Sequence, residues 1–527
     1  MVGRSIMVGF DGATWKLLDV LIERGVMPRL KELKEAGTFG LLHSTDPPVT
    51  GPAWVSMVTG VGPGTHGVFD FTLPGRDLFH RLPASTSKIA VSTIYEKLNP
   101  AVLLNLPVSF PPLTGNPTVT SLMTGASGPL HPSELLERPW GKSYRVVPNA
   151  SLLRDGKLRE YLKDIRELER VRFKALKDLW GHEEWRLFLV VFSGSDWVSH
   201  AAFGQLMAKA GVVPEGEELF ADLDSYLGWM VEHLEKEDHL LLVSDHGFGV
   251  KKGFFLVNEW LARDGLLGLR PASERKSVHA FDAALHEKDV LGGEKPPAAA
   301  VGRCRAPGLL GRAWRRLYRD ALERWDPRLE ADPSATKAIA PSAEQRGVYV
   351  NDSGRFSGGV VSPEERQQVA SRLLERLSAL EEPDGGPLFE WVRPVSEVYS
   401  GPLAEAGPDL LFNAPKWECS AALSLYHLDC FQREEVGGHE HDGVVLAIGG
   451  GIRSGEVEGM NIVDVAPVLL HWAGEPVPLH MEGRVPSALD LGADVKEGSA
   501  WSLPERSGAI DEENEVAERL KGLGYLG

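Results

Sequence analysis

Short stretches that are apolar at every position, rather than at alternate positions, recur along this 527-residue chain. They are SIMVGF at 5–10, AVLLNL at 101–106, RLFLVVF at 186–192, HLLLVS at 239–244 and GVVLAIGG at 443–450. Such a strand is suited to burial on both faces, which is the usual situation of parallel strands with helices on either side. The pattern therefore predicts a mostly parallel sheet. The 57 glycines, which favour tight turns, argue further against a helical bundle.

Amphipathic helical patterns lie between these strands. In the segment 158–179 apolar residues recur every three or four positions, and charged residues fill the opposite face. The segments 215–235 and 364–381 have the same pattern. Alternating strands and helices predict an α/β fold with a doubly wound, mostly parallel sheet flanked by helices, in which ligands bind at the carboxyl ends of the strands.

The composition restricts the possible partners and location. A formal charge of −18 disfavours binding to a nucleic acid duplex or to an anionic membrane. The chain has 3 cysteines, Cys304, Cys419 and Cys430, and their spacing supports neither a disulfide framework nor a thiolate zinc site. Because a membrane-spanning stretch and a leader-like N-terminus are also missing from the sequence, we expect a cytoplasmic protein with no membrane association.

Acidic and imidazole side chains gather where the predicted strands end. They are Asp11 after the first strand, Asp196 and His200 after the third, Asp245 and His246 after the fourth, and His439 and His441 just before the fifth. Each group alone fits a turn, a helix cap or a buried histidine. Because the ends of parallel strands meet at one edge of a sheet, the whole set predicts a metal site.

A threonine lies at the start of another predicted helix, in the segment PPVTGPAW. Pro52 suits the first turn of a helix that continues through Trp54 to Val58, which puts Thr50 at its mouth. Thr50 fits a helix N-cap that stabilises the helix by about 1 kcal/mol. It equally fits a nucleophile, because a helix N-terminus favours an alkoxide and an incoming phosphate or sulfate. The spacing leaves both interpretations open.

The charge of the strand-end residues indicates how many cations they could hold. Three aspartates and a Thr50 alkoxide would carry four negative charges, which two divalent cations would balance while neutral imidazoles complete the coordination. Two cations about 4 Å apart can activate an attacking oxygen and stabilise a leaving oxygen. This is the chemistry of phosphoryl or sulfuryl transfer.

The ordered motifs GFDGATW, PPVTGPAWVSMVTG, GPGTHGVFDF, SGSDWVSH, SDHGFG and GGHEHDGV resemble the alkaline phosphatase superfamily. Within it the chain looks most like the type I phosphodiesterase/nucleotide pyrophosphatase branch and its group of predicted phosphohydrolases and phosphomutases. The resemblance extends from residue 5 to about residue 480. It implies an alkaline-phosphatase-like α/β fold with a cap insertion.

The resemblance also implies roles for individual residues. Thr50 matches the nucleophile, which would form a phospho-threonine that water then hydrolyses. One metal ion would be held by Asp11, Thr50, Asp245 and His246, and the other by Asp196, His200 and His439. His441 matches no ligand and is expected beside the ligands or at the surface. With three imidazoles among the donors, zinc is preferred over manganese for the two divalent ions.

One position departs from the family pattern. Nucleotide pyrophosphatases have an asparagine four residues after the HG of the nucleophile motif, where it helps hold the phosphoryl oxygen. Here that position is Phe71, preceded by Asp70. The departure leaves hydrolysis in place but puts nucleotide-diester specificity in doubt.

Four regions are predicted along the chain. Residues 1–260 and 341–485 form the two parts of the catalytic core, 261–340 is a basic cap or lid, and 486–527 is a connector with a C-terminal helix. The cap is inferred from the segment 270–328, which has 13 Lys or Arg and 8 Asp or Glu within an acidic chain.

A helix in the basic segment would place Arg315 and Arg316 on one cationic face, which fits either a solvated surface or contacts to an anionic substrate. Together with Gly51, these two arginines are the candidate substrate contacts.

The sequence thus favours a two-metal phosphohydrolase, either a phosphodiesterase or a phosphomonoesterase, acting on a small anionic phosphate ester. The alternatives are a phosphomutase, if the cap excludes water, and a noncatalytic anion-binding protein on the same fold. The sequence leaves the oligomeric state open.

Overall fold

The computed structural model describes residues 3–113, 117–124, 128–271, 329–342, 346–421 and 430–504. The strands, in chain order, are β1 Ser5–Phe10, β2 Thr38–His43, β3 Thr72–Pro74, β4 Arg81–Pro83, β5 Ala101–Leu106, β6 Thr118–Thr120, β7 Leu130–His131, β8 Leu187–Phe192, β9 His239–Val243, β10 Gly247–Leu256, β11 Leu269–Pro271, β12 Leu329–Ala331, β13 Ala338–Ile339, β14 Gly347–Val350, β15 Trp391–Pro394, β16 Leu410–Asn413, β17 Glu418–Ser420, β18 Phe431–Glu440, β19 Asp442–Gly449, β20 Gly455–Asn461, β21 Val477–Pro478 and β22 Glu497–Gly498.

The α-helices are α1 Trp15–Glu23, α2 Pro28–Ala36, α3 Thr50–Thr59, α4 Pro63–His66, α5 Ile94–Lys97, α6 Ala150–Arg154, α7 Leu158–His182, α8 Gly194–Ala208, α9 Pro214–Glu232, α10 Val257–Arg263, α11 Pro363–Ser378, α12 Val395–Val398 and α13 Val465–Trp472. The amphipathic patterns correspond to α7, α9 and α11, so these three predictions are confirmed. The predicted C-terminal helix lies outside the described residues, as does most of the basic segment.

A nine-stranded sheet organises the molecule, with the strand order β20-β2-β19-β9-β1-β8-β5-β6-β7. All the strands predicted from apolar runs belong to it. β1 pairs in parallel with β8 and β9, and β5 pairs in parallel with β8. The mostly parallel α/β fold is therefore confirmed.

The predicted parallel direction is wrong for the strand at 443–450. This strand, β19, runs antiparallel to both β9 and β2, because β18 and β19 run back alongside β10 and β9 in one continuous antiparallel register. Residues Val444 to Ala447 are still completely buried. An all-apolar run reports burial on both faces, which an interior antiparallel strand shares with a parallel one.

Helices cover both faces of the sheet. In β1, Ile6 and Val8 point into a core formed with α1, α2, α7, α8 and α9, whereas Met7 points into a second core formed with α3, α5 and α13. Each residue of such a strand enters one core or the other, because successive side chains alternate between faces. This explains why the strand is apolar at every position.

A smaller unit packs around a hydrophobic cluster of its own. The cluster is built from β10, β13, β14, β16, α10 and α11, and its largest fully buried side chains include Phe255, Tyr349 and Trp417. β10 follows the carboxyl end of β9, an interior strand of the main sheet, and extends into this unit, where it pairs with β17 and β18. The domain limits given from sequence stay predictions.

Candidate active site

The strand ends bring the predicted site residues together at one edge of the main sheet. Asp11 directly follows β1, the pair on α8 follows β8, and the Asp–His pair lies between β9 and β10. The remaining histidine belongs to β18, opposite Phe248 of β10. All the aspartates and histidines assigned as ligands have side chains that are less than a fifth exposed: Asp11, Asp196, His200, Asp245, His246 and His439.

Gly12 allows two strand ends to approach each other closely. Its N–H donates to Asp245 Oδ1 over 3.1 Å, and its φ of +64° lies in the left-handed region. A Cβ at this position would lie 3.0 Å from Asp196 Oδ1. Position 12 therefore favours glycine for two reasons: the left-handed backbone of the turn after β1, and the lack of space for a Cβ beside Asp196.

Asp196, His200 and His439 form the first group of ligating atoms. Nε2 of His200 lies 3.0 Å from Nε2 of His439, and Oδ1 of Asp196 lies 3.4 Å and 3.5 Å from these two nitrogens. Ligands of one tetrahedral zinc ion lie about 3.3 Å from one another, given metal–nitrogen bonds of about 2 Å. The three atoms are therefore spaced as the ligands of a single cation would be.

The second group centres on His246. Its Nε2 lies 3.1 Å from Thr50 Oγ1, 3.4 Å from Asp245 Oδ2 and 3.8 Å from Asp11 Oδ1. Asp196 lies within reach of this group as well, because its carboxylate, Asp11 and His246 have ligating atoms within 4.8 Å of one another. The two groups are therefore adjacent and meet at Asp196.

Backbone carbonyls fix which ring nitrogen of two histidines faces the site. Nδ1 of His246 lies 3.0 Å from Gly247 O, and Nδ1 of His439 lies 3.2 Å from Pro48 O. Because a carbonyl oxygen only accepts, Nδ1 carries the proton in both rings and the neutral imidazole presents a bare Nε2. Both Nε2 atoms are therefore ready to accept a metal ion or a proton.

Burial sets the protonation of the group. It lowers the pKa of His200 and His439 to about 4 and also lowers the pKa of His246, so all three imidazoles are neutral near pH 7. Burial raises the pKa of Asp196, and the nearby carboxylate of Asp245 raises it further.

Two buried carboxylate oxygens indicate whether divalent cations would fit this site. Asp196 Oδ1 and Asp245 Oδ2 accept no hydrogen bond from any residue that the structure describes. A buried carboxylate needs a compensating charge or donor. Neutral imidazoles and ionised carboxylates are the forms that bind divalent metals, and the donor set therefore fits such ions.

Thr50 is the first residue of α3, and Val49 occupies the N-cap position with an extended backbone. The helix thus begins at Thr50 rather than after it. The Thr50 hydroxyl has one hydrogen-bond partner within the described ranges, the bare Nε2 of His246, to which it donates. The N-cap interpretation of Thr50 is therefore wrong, and its oxygen faces the ligating groups instead.

An ion pair beneath His439 was not predictable from the sequence. Arg346 is 3% exposed and donates from Nη2 to the backbone carbonyl of His439 over 3.2 Å and to Glu418 Oε1 over 3.0 Å. Although burial alone would raise the pKa of Glu418, the charges of Arg346 and Lys251 hold it below its usual value. Arg346 lies 93 positions from His439 in the chain, so no local pattern signals this contact.

The position that departs from the family pattern is buried. Phe71 is 1% exposed and packs in a hydrophobic cluster with Val55 and Val68. Asp70 Oδ1 accepts the N–H of Phe71 over 2.6 Å, and burial raises the pKa of Asp70 to about 6 against the nearby charge of Arg81. This segment therefore presents an aromatic ring where the family has an amide.

The other predicted residues have different outcomes. Gly51 lies in the first turn of α3, where a Cβ would approach the backbone N of Phe71 to 3.3 Å. His441 is about one third exposed and lies apart from both ligand groups, beside Asp46 and Asp442. Arg315 and Arg316 lie outside the described residues.

Comparison with known proteins gives an independent view of the fold. The family model described as type I phosphodiesterase / nucleotide pyrophosphatase matches residues 5–398. Phosphonoacetate hydrolase from Sinorhizobium meliloti 1021, in complex with phosphonoacetate, has a TM-score of 0.52 at 15% identity, with 90% of this chain and 95% of that chain covered. The alkaline phosphatase PafA has a TM-score of 0.52 at 13% identity, with 94% and 99% covered.

Murine ectonucleotide pyrophosphatase/phosphodiesterase 5, in an inactive form in complex with AMP, has a TM-score of 0.48 at 12% identity, with 92% of this chain and 97% of that chain covered. A search of curated protein sequences gives no match. Among the described helices, none combines the length and the apolarity that crossing a membrane requires.

Proposed function

Because the chain belongs to the type I phosphodiesterase/nucleotide pyrophosphatase family and is thus a phosphoric ester hydrolase, we propose that it cleaves a small anionic phosphate ester through a phospho-threonine at Thr50. Two divalent cations would support the reaction. One would be held by Asp11, Thr50, Asp245 and His246, and the other by Asp196, His200 and His439.

The observation that carries the proposal is the position of the Thr50 hydroxyl. This hydroxyl lies at the start of a ten-residue helix and donates to His246 Nε2 over 3.1 Å. The whole Thr50 residue is only 6% exposed. A threonine that only stabilised its helix would direct this oxygen to the helix backbone. Here the oxygen instead faces the ligating side chains.

Thr50 and its helix act directly on the substrate in this proposal. The first turn of a helix leaves backbone N–H groups without intrahelical partners, and those of Thr50 and Gly51 can donate to phosphoryl oxygens. Thr50 Oγ1 loses its proton and attacks phosphorus as the P–O bond to the leaving group breaks. The departing oxygen takes up a proton and leaves as an alcohol, and the enzyme is left as a phospho-threonine. Water then attacks phosphorus, releases phosphate or a phosphate monoester and regenerates the hydroxyl.

The surrounding residues keep the nucleophile oriented. The Gly247 carbonyl fixes the ring of His246 against Thr50, and the Pro48 carbonyl does the same for His439. When bound, the cations would favour the ionised Thr50 oxygen and neutralise charge on the phosphoryl group. Three imidazoles among the donors favour zinc, with manganese as the other candidate.

The substrate is expected to differ from that of the nucleotide pyrophosphatases. Phe71 and its hydrophobic neighbours provide no amide to hold a phosphoryl oxygen at that position. We therefore expect nucleotide diesters to be poor substrates. The cytoplasmic location indicated by the cysteine pattern stays a prediction.

Hydrolysis of p-nitrophenyl phosphate, bis-p-nitrophenyl phosphate and a nucleotide p-nitrophenyl diester tests the proposal, with and without a chelator. We expect turnover of at least one of the first two substrates, loss of turnover with the chelator, and recovery when zinc or manganese is returned. Turnover that is unaffected by complete metal removal would contradict the two-cation proposal.

A further inference from the structure

A separate group of ligating side chains lies at the junction between β18 and β19. Asp442, the first residue of β19, pairs across the ladder with His43, the last residue of β2. His441 occupies the single position between β18 and β19. The strand register therefore brings two imidazoles and a carboxylate together outside the candidate active site.

Three atoms of this group are spaced as metal ligands. Asp442 Oδ1 lies 2.8 Å from His43 Nδ1 and 3.4 Å from His441 Nδ1, and each of the three residues offers a ligating atom within 4.8 Å of those of the other two. Two imidazoles thus converge on one carboxylate oxygen. The shorter contact is a hydrogen bond whose proton a metal ion would replace, and the longer one is close to the roughly 3.3 Å between ligands of a tetrahedral ion. Their side chains are 31% to 49% exposed, which leaves room for water as a further ligand.

The opposite edge of one imidazole faces a second carboxylate. Asp46 Oδ1 lies 3.5 Å from Nε2 of His441, whereas the Nδ1 of His441 faces Asp442. A carboxylate at the far ring nitrogen is the usual arrangement around a metal-binding histidine, because it orients the ring and raises the basicity of the ligating nitrogen.

We propose that His43 Nδ1, His441 Nδ1 and Asp442 Oδ1 bind a transition-metal dication, with Asp46 orienting His441. Two imidazole nitrogens favour zinc, nickel or copper over magnesium and calcium, which prefer oxygen ligands. An ion here would connect the end of β2, the junction between β18 and β19 and, through Asp46, the loop that leads to Thr50. This site is independent of the two cations of the proposed function.

Zinc stoichiometry tests this site. The full-length protein and its variants are dialysed against zinc at neutral pH, and bound metal is measured by elemental analysis. His43→Gln and Asp442→Asn should each bind one zinc ion fewer than the parent. His182→Gln, at a side chain that is 64% exposed on α7, should bind as much zinc as the parent. Circular dichroism verifies that each variant is folded.

The same measurement in an Asp245→Asn background separates this proposal from the proposed function. If the active site binds no cations, the parent and Asp245→Asn will bind equal amounts of zinc. The proposed site at His43, His441 and Asp442 is contradicted if both His43→Gln and Asp442→Asn bind as much zinc as the parent. A loss of one equivalent on adding His43→Gln to Asp245→Asn supports it whatever the active site holds.

Discussion

The Thr50 hydroxyl has a histidine of the candidate active site as its hydrogen-bond partner, and not the backbone of the helix that it begins. Its removal should therefore have little effect on folding. The same oxygen is the proposed nucleophile. Chemistry and stability can thus be separated at this one residue.

Thr50→Ala should lower kcat by roughly a thousandfold or more, because the nucleophile is lost, while the free energy of unfolding changes by less than about 1 kcal/mol. Thr50→Ser should keep part of the activity because it retains a hydroxyl. Steady-state kinetics and urea unfolding provide the two readouts.

Thr59→Ala is the matched control, because Thr59 ends the same helix and its hydroxyl donates to Val55 O. This variant should keep its kcat. Full activity in Thr50→Ala would exclude the threonine as nucleophile.

A buried histidine outside the ligand set predicts how stability depends on pH. Burial lowers the pKa of His66 to about 3, and its ring nitrogens contact Ser56 Oγ and the N–H of Val68. The unfolded chain therefore binds a proton below about pH 6.5 that the folded chain refuses. This proton binding favours the unfolded chain. The free energy of unfolding is therefore unaffected above that pH and decreases as the pH falls towards 3.

His66→Gln should remove this dependence. Relative to the variant, the parent should lose about 3 kcal/mol of unfolding free energy between about pH 7 and about pH 4. Urea unfolding of both proteins at the two pH values measures the difference. Parallel changes in the parent and in His66→Gln would show that His66 is protonated as readily in the folded protein as in the unfolded chain.

At the scale of elements, the turn after β1 connects the sheet to the site. Strands that are apolar at every position could be predicted, because burial on both faces requires a continuous apolar run that is visible in the sequence. Strand direction could not, because β19 has the same pattern although it runs antiparallel. The close approach between Gly12 and Asp196 also depends on two strands that are far apart in the chain.

Gly12→Ala should reduce both stability and activity. An alanine in the left-handed region destabilises the fold by roughly 1 kcal/mol, and its Cβ would also press on Asp196 Oδ1. Gly25→Ala is the matched control, because Gly25 has a φ of +73° and open space around its Cβ position. Similar unfolding energies with activity lost only in Gly12→Ala would separate the two effects. Equal activity in both variants would contradict the role of Gly12 at the site.

At the scale of the whole molecule, the candidate site joins segments that are hundreds of residues apart, from Asp11 to His439. The ligand candidates could be named from the sequence because each follows or precedes a recognisable strand. The support beneath His439 could not, because Arg346 reaches it from the smaller unit, 93 positions away in the chain. Long-range contacts of this kind produce no recognisable residue spacing in the sequence.

Cations that join these segments should stabilise the native chain, because ions that bind only the folded state shift the unfolding equilibrium. Chelator treatment should lower the unfolding temperature by several degrees, and the decrease should be smaller in Asp245→Asn. Scanning calorimetry with and without the chelator measures both values. An unchanged unfolding temperature in the parent would argue against structural coupling of the cations.

The stereochemistry at phosphorus tests the central claim most directly. A p-nitrophenyl ester whose phosphorus is made chiral with sulfur and oxygen isotopes is hydrolysed, and the configuration of the product is determined by phosphorus NMR. Attack by Thr50 followed by attack of water inverts the phosphorus twice, so the account predicts net retention of configuration. Net inversion would mean a single direct attack by water and would contradict the phospho-threonine.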